Sequence, residues 1–149
     1  MVWISKKFDE LTPSELYAAL ALRSEVFVVE QHCIFQDMDN RDQFSHHLLG
    51  WEGDKLLAYA RIVPPGVAYV ESSIGRIVTS PSARRQNIGR ELVRRSIELL
   101  YTLHGKSVIR IGAQYYLRDF YESFGFDQAG DIYLEDGIEH IEMLLLTNS

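Results

Sequence analysis

Apolar residues recur along this chain with two different periods, and the switch between them marks out its elements. Ile88, Leu92, Val93, Ile97, Leu100 and Leu103 follow one another at three- and four-residue steps, which lines one face of a helix that Gly105 closes. "YLRDFYESFGF" (116–126) repeats the pattern with Leu117, Phe120, Tyr121 and Phe124, and Gly125 lies just past its end. An earlier helix runs through Leu16, Leu20 and Phe27 and ends around Glu30. Thr12-Pro13-Ser14-Glu15 opens it as a capping box with proline at the first helical position.

Between these segments the pattern reads as strands. "VWISKKF" (2–8) is the first, and "HHLLGWE" (46–52) and "KLLAYARIV" (55–63) form a hairpin around Gly53-Asp54. "VAYVESSIGRIVTS" (67–80) predicts one long strand with Gly75 as a bulge, stopped by Pro81, whose ring removes a ladder donor. "SVIRIGA" (107–113) and the pair 131–136 and 138–146 around Gly137 complete the set, while 31–45 reads as a long loop with a helical turn. This order predicts an α+β (mixed α/β) chain, a mixed sheet with helices packed on it.

Size and charge narrow the picture. The 149 residues fit one domain spanning 1–149, long enough to bury about 70% of the unfolded surface. No apolar run approaches the ~20 residues needed to span a bilayer. The first residues lack the basic-then-apolar layout of a signal peptide, and a single cysteine, Cys33, leaves no internal disulfide framework, so the expected address is cytoplasmic. A net charge of −6 disfavours nucleic acid and anionic membranes as partners.

Against that acidic background one stretch stands out. "SARRQNIGRELV" (82–93) crowds Arg84, Arg85, Gln86, Asn87 and Arg90 around a helix start that is already electropositive. Free backbone N–H groups at such a start bind phosphate, Gly89 permits close approach, and arginine forks suit phosphate oxygens. The stretch has no Gly-Lys-Ser/Thr of a Walker loop, and no G-x-G-x-x-G follows a first strand.

Arg84-x-x-Asn87-x-Gly89 resembles the R/Q-x-x-G-x-G/A signature of the GNAT superfamily of acetyl-CoA-dependent N-acetyltransferases. "IGRIVTSP" is similar to that family's fourth strand, and Gln114, Tyr121 and "FGF" resemble its N-x-x-A-x-x-x-Y-x-x-x-G-F helix. "LRSEVFVVEQ" (22–31), "YARIVPPG" (59–66) and "YLEDGIEHIEM" (133–143) look like the ElaA-like subgroup. Three positions depart from the pattern: Asn87 stands for a glycine, Gln114 for an asparagine and Leu117 for an alanine. Asparagine is the residue other than glycine that best tolerates a left-handed backbone.

The resemblance implies a mostly antiparallel sheet of six or seven strands flanked by about four helices. It implies acetyl-CoA as co-substrate, with no metal, and a primary amine of a small molecule or peptide as acceptor. Residues 84–90, Ile88 included, would hold the pyrophosphate, mostly through backbone N–H groups. Ile77, Val78 and Thr79 would pair with the pantetheine arm, Gln114 would line the cofactor site, and Tyr121 would protonate the departing thiolate. The oxyanion would be met by a strand amide near Val78. Glu71, Glu30 and His140 are the candidates for general base, with a water chain as the alternative. Two other readings are a non-catalytic acyl-CoA-binding regulator on the same fold and a nucleotide transferase. A homodimer is the assembly considered.

Other residues read plainly. His46 and His47 are adjacent on a strand and point to opposite faces, so they cannot readily share a metal. Cys33 beside His32 reads as a loop or core thiol, and Trp3 and Trp51 as packing residues. Asp37, Asp39 and Asp42 lack calcium-loop spacing and predict a solvated loop, or an acidic rim that favours a cationic acceptor. Arg76 is left open between a structural charge and a cleft residue.

Overall fold

A computed structural model describes residues 1–84 and 86–147. Strand β1 (Val2–Lys7) leads through a short 3₁₀ turn to helix α1 (Pro13–Arg23). The capping box is present: Thr12 Oγ1 accepts from the Glu15 N–H at 3.1 Å, and the Thr12 N–H donates to Glu15 Oε1 at 2.8 Å. The expected single helix to Glu30 is interrupted. Ser24–Glu30 winds as a wider π-helix.

The hairpin of β2 (His46–Glu52) and β3 (Lys55–Val63) forms where the sequence places it. β4 (Ser73–Thr79) is shorter than the 67–80 strand expected. After Pro64-Pro65 the chain turns back, with the Gly66 N–H donating to Tyr69 O at 2.7 Å, so 67–71 is not strand. The bulge also falls just beyond Gly75. Arg76 and Ile77 together oppose Ala60, and Arg76 takes φ 49°, a left-handed conformation.

Helix α2 (Ile88–His104) follows, then β5 (Ile109–Gln114), the short α3 (Arg118–Glu122), β6 (Asp127–Gln128), β7 (Tyr133–Glu135) and β8 (Ile138–Leu145). Instead of one sheet of six or seven strands, two four-stranded sheets form: β1-β2-β3-β4, and β5-β8-β6 with β7 on β8. Every strand pair is antiparallel except one parallel bridge between Ser72 and Ile109, where the sheets meet. Three α-helices are present among the described residues, against about four expected.

The first sheet is buried on both faces. Leu49, Tyr59 and Val78 pack with Ala19, Leu22 and Val26 on the α1 side. Leu48, Ala58, Ala60 and Ile62 pack with Leu92, Val93 and Leu100 of α2 on the other. This explains why 56–63 reads as a continuous apolar run: β3 is a central strand. Among the described residues no helix is long and apolar enough to cross a membrane.

Candidate functional site

β4 and β5 start side by side and then separate. The Arg110 N–H donates to Ser72 O at 3.0 Å at the base, and past that bridge each strand pairs only within its own sheet. A cavity of about 650 Å³ opens in the gap, with Ile74–Thr79 on one wall and Ile111–Gln114 on the other. The bulge at Arg76–Ile77 makes this opening, because an extra residue bends the strand and leaves backbone groups unpaired.

At one end of the cavity lie Arg84 and Gly89, where the chain leaves β4 and enters α2. Asn87, just before the helix, has φ 58° and ψ 15°, the left-handed conformation that its amide side chain tolerates. A Cβ built on Gly89 meets only Thr79 Cγ2 at 4.0 Å, so this helix start is open to a visiting group. Arg84 makes a forked ion pair with Glu30 of the π-helix, at 2.9 Å from Nη1 and 2.7 Å from Nη2. Two residues that the sequence proposes for different roles are thus in direct contact.

The rest of the loop divides. Ile88 is buried in the core, Gln86 lies beside Lys55 and Ser82 away from the main cavity, and Arg85 lies outside the described residues. The Arg90 side chain turns toward α3, stacking 4.6 Å from the Phe124 ring centre and donating to Ser123 Oγ at 3.0 Å.

Ile77, Val78, Thr79, Gln114, Tyr121, Glu30 and His140 all line the cavity. Tyr121 comes from α3 and is buried, and burial pushes its phenol well above the ordinary tyrosine range. Gln114 exchanges amide hydrogen bonds with Gln31 at 3.1 and 3.4 Å, tying the end of β5 to the end of the π-helix. His140 sits opposite Gln114 in the β5–β8 ladder. Its Nδ1 lies 2.8 Å from Ile138 O, and because a carbonyl only accepts, Nδ1 carries a proton. Nε2 faces Glu135 at 3.5 Å. Glu71 is not brought into the cavity. It is held by Arg110 at 3.0 and 3.2 Å, and that hydrogen bonding keeps its carboxyl below the usual range.

The three loop aspartates correct the sequence reading. They do not form a solvated loop: Asp37 and Asp42 are buried, Asp39 alone of the three lines the cavity, and all three are claimed by arginines. Arg23, itself 1% exposed, donates to Asp37 at 2.7 Å and Asp42 at 2.8 Å. Arg61 grips Asp39 at 2.7 and 2.8 Å and reaches Asp42 at 3.0 Å. Arg76, at the bulge, donates to Asp37 at 2.8 Å and also lines the cavity, so it serves both of the roles left open. Burial opposes the charges on Asp39 and Asp42, but hydrogen bonds and positive charge from Arg61 and Arg23 outweigh it and hold both carboxyls low.

Sequence reasoning missed Arg41, Phe35, Glu135 and Asp136 as cavity residues. Arg23 was also missed, since a lone arginine on a helix reads as solvated. The available signal was three aspartates at short spacing with too few local cations to balance them. His47 is a core histidine, its ring nitrogens engaged by Tyr59 Oη at 2.6 Å and Asp42 O at 2.9 Å. Cys33 is buried, its thiol donating to Asp136 O at 3.3 Å.

Two splayed sheets, a cavity between their facing edge strands β4 and β5 and an open helix start at one end define an acyltransferase fold. The family model for the acetyltransferase (GNAT) domain matches residues 10–147, and the chain belongs to that family. It is 41% identical over 143 residues to protein ElaA of Escherichia coli strain K12, covering 95% of this chain and 94% of that one. The crystal structure of E. coli ElaA superposes with a TM-score of 0.90 at 39% identity, covering 96% of this chain and 97% of that one. An acyl-CoA N-acyltransferase from Pseudomonas aeruginosa gives a TM-score of 0.91 at 39% identity, covering 97% and 99%.

Proposed function

We propose that this protein transfers an acetyl group from acetyl-CoA to a primary amine of a small molecule or peptide. The observation that carries the reading is the β4–β5 cleft, which joins an open helix start beside Arg84 to a buried phenol, Tyr121. The cavity, about 650 Å³ and lined from Arg84 and Gly89 to Tyr121, suits a ligand with an anionic end at the helix and an acyl end inside.

In this reading the N–H groups around Gly89, with Arg84, hold the pyrophosphate, and the backbone of Ile77, Val78 and Thr79 pairs with the pantetheine arm. The thioester supplies an activated acyl carbonyl. A β4 amide near Val78, next to the Arg76–Ile77 bulge that interrupts the β3 ladder, donates to the oxygen that gains negative charge. Tyr121 retains its proton throughout the neutral range, so a donor is ready for the departing sulfur.

His140 is the base we assign. With Nδ1 committed to Ile138 O, the neutral ring offers its Nε2 lone pair to an incoming ammonium, and Glu135 at 3.5 Å stabilises the imidazolium that forms. Glu30, in the cavity lining, is engaged by Arg84, and Glu71, outside the lining, is held by Arg110. The buried, unpaired Cys33 suits a reducing compartment, and we place the protein in the cytoplasm.

Incubation with acetyl-CoA and a panel of amines, followed by thiol release and product mass, tests the reading. Acetylated amine with stoichiometric thiol supports it. Tight acetyl-CoA binding without product across the panel overturns it in favour of a non-catalytic acyl-CoA-binding protein on the same fold.

A further inference from the structure

The acceptor end of the cavity carries opposite charges on its two sides. Around the loop are three aspartates and four arginines, of which Asp39, Arg41 and Arg76 line the cavity. Asp37, Asp39 and Asp42 are fully engaged by Arg23, Arg61 and Arg76 at 2.7–3.0 Å. Arg41 is the fourth, and it is surplus. Its nearest carboxylate is Asp39 at 3.8 Å, both of whose oxygens are already bonded to Arg61. Arg41 lines the cavity and its side chain is 45% exposed, so its fork of donors is available to a ligand.

The β7–β8 side is the reverse. Glu135 and Asp136 line the cavity there, and Glu135 lies 3.5 Å from His140 Nε2, a contact that becomes an ion pair once the ring takes a proton. Among the described residues Arg41 makes no ion pair with either acid, so cation and anions line one cavity without neutralising each other. A cavity lined by a weakly held, half-exposed guanidinium and by carboxylates beside a histidine is complementary to a ligand that carries both charges itself.

We propose that the acceptor is a small amino acid, an amine and a carboxylate in one molecule. Its carboxylate pairs with Arg41, and its amine is delivered to His140 and Glu135. The assignment rests on the acetyl-transfer reading for its direction, in which the amine goes to His140, opposite Gln114 in the β5–β8 ladder and in the same cavity as Tyr121. It replaces the expectation of a purely cationic acceptor, because the aspartates behind that expectation are neutralised by arginines.

The test uses the full chain with acetyl-CoA and a series of amino acids of increasing amine-to-carboxylate spacing, each set against its amide. At least one amino acid is expected to exceed its amide by roughly tenfold or more in kcat/KM, the scale of one charge-assisted hydrogen bond. Arg41→Ala should bring that ratio close to one, and Arg41→Lys should restore part of it. Amides that match or exceed every amino acid overturn the proposal, as does an Arg41→Ala variant that loses both in equal proportion. If nothing turns over, calorimetric titration of the same pairs into CoA-loaded protein decides it. Amino acid binding that Arg41→Ala weakens sustains the acceptor assignment while transfer fails; equal binding of acid and amide sinks the assignment.

Discussion

Arg84 and Glu30 are 54 residues apart in sequence and meet in a forked ion pair, 2.7 and 2.9 Å, at the mouth of the cavity. The carboxylate therefore occupies the guanidinium that the proposed mechanism gives to a pyrophosphate. Both side chains are substantially exposed, so the pair is weak and can exchange partners. Glu30→Gln is expected to tighten acetyl-CoA binding by roughly two- to fivefold, the range of an exposed ion pair, as read by calorimetry. Arg84→Ala should weaken it, and more for CoA than for a pantetheine fragment without the pyrophosphate. Equal losses for both would move Arg84 out of the pyrophosphate site.

Tyr121 is the buried phenol of the cleft. Tyr121→Phe keeps the packing and removes the proton. It should lower kcat by about 10²-fold or more, the usual contribution of a positioned acid, with acetyl-CoA affinity nearly unchanged. Steady-state kinetics beside a binding isotherm checks both halves, and unchanged turnover would remove the acid role.

Asp42 sits between two buried arginines, Arg23 and Arg61. Asp42→Ala leaves both without that partner and should destabilise the fold by about 3–5 kcal/mol in urea unfolding. The effect depends on pH in a defined direction. The carboxyls of Asp39 and Asp42 are held below their ordinary values, so their contribution is complete above the unfolded pKa of about 4 and is lost as pH falls through the lower folded values. The stability gap between wild type and Asp42→Asn should accordingly narrow from pH 7 toward pH 3, and a gap that stayed constant would contradict the ion-pair account.

Asn87 holds a left-handed backbone at the start of α2. Asn87→Gly should preserve both stability and acetyl-CoA affinity. Asn87→Val, with a branched Cβ in that conformation, should cost roughly 1–2 kcal/mol in thermal or chemical unfolding and weaken the cofactor. Equal behaviour of the two variants would show that the loop does not need this geometry.

Most of the local structure was legible in the sequence because its causes are local. The Thr12 capping box, the Gly53-Asp54 hairpin, the stop at Pro81, the amphipathic stripe of α2 and the left-handed Asn87 each follow from the steric or hydrogen-bonding character of a few neighbouring residues. The helix start near Arg84 and Gly89 and the tyrosine at 121 could be selected for the same reason, with the family resemblance linking them.

What the sequence did not determine is how charges and strands far apart in the chain settle against each other. Whether Asp37, Asp39 and Asp42 face water or arginine depends on Arg23, Arg61 and Arg76, which arrive from α1, β3 and β4. Whether Glu30, Glu71 or His140 is available depends on Arg84, Arg110 and Ile138 O, and none of these pairings leaves a periodic trace. The cleft itself arises from a bulge at Arg76–Ile77 that lets β4 part from β5, a balance of pairing between two sheets. Periodicity and caps act over one turn or one hairpin, so the sequence alone reaches the elements. Electrostatic pairing and sheet splay act across the whole chain, and only the tertiary structure decides them.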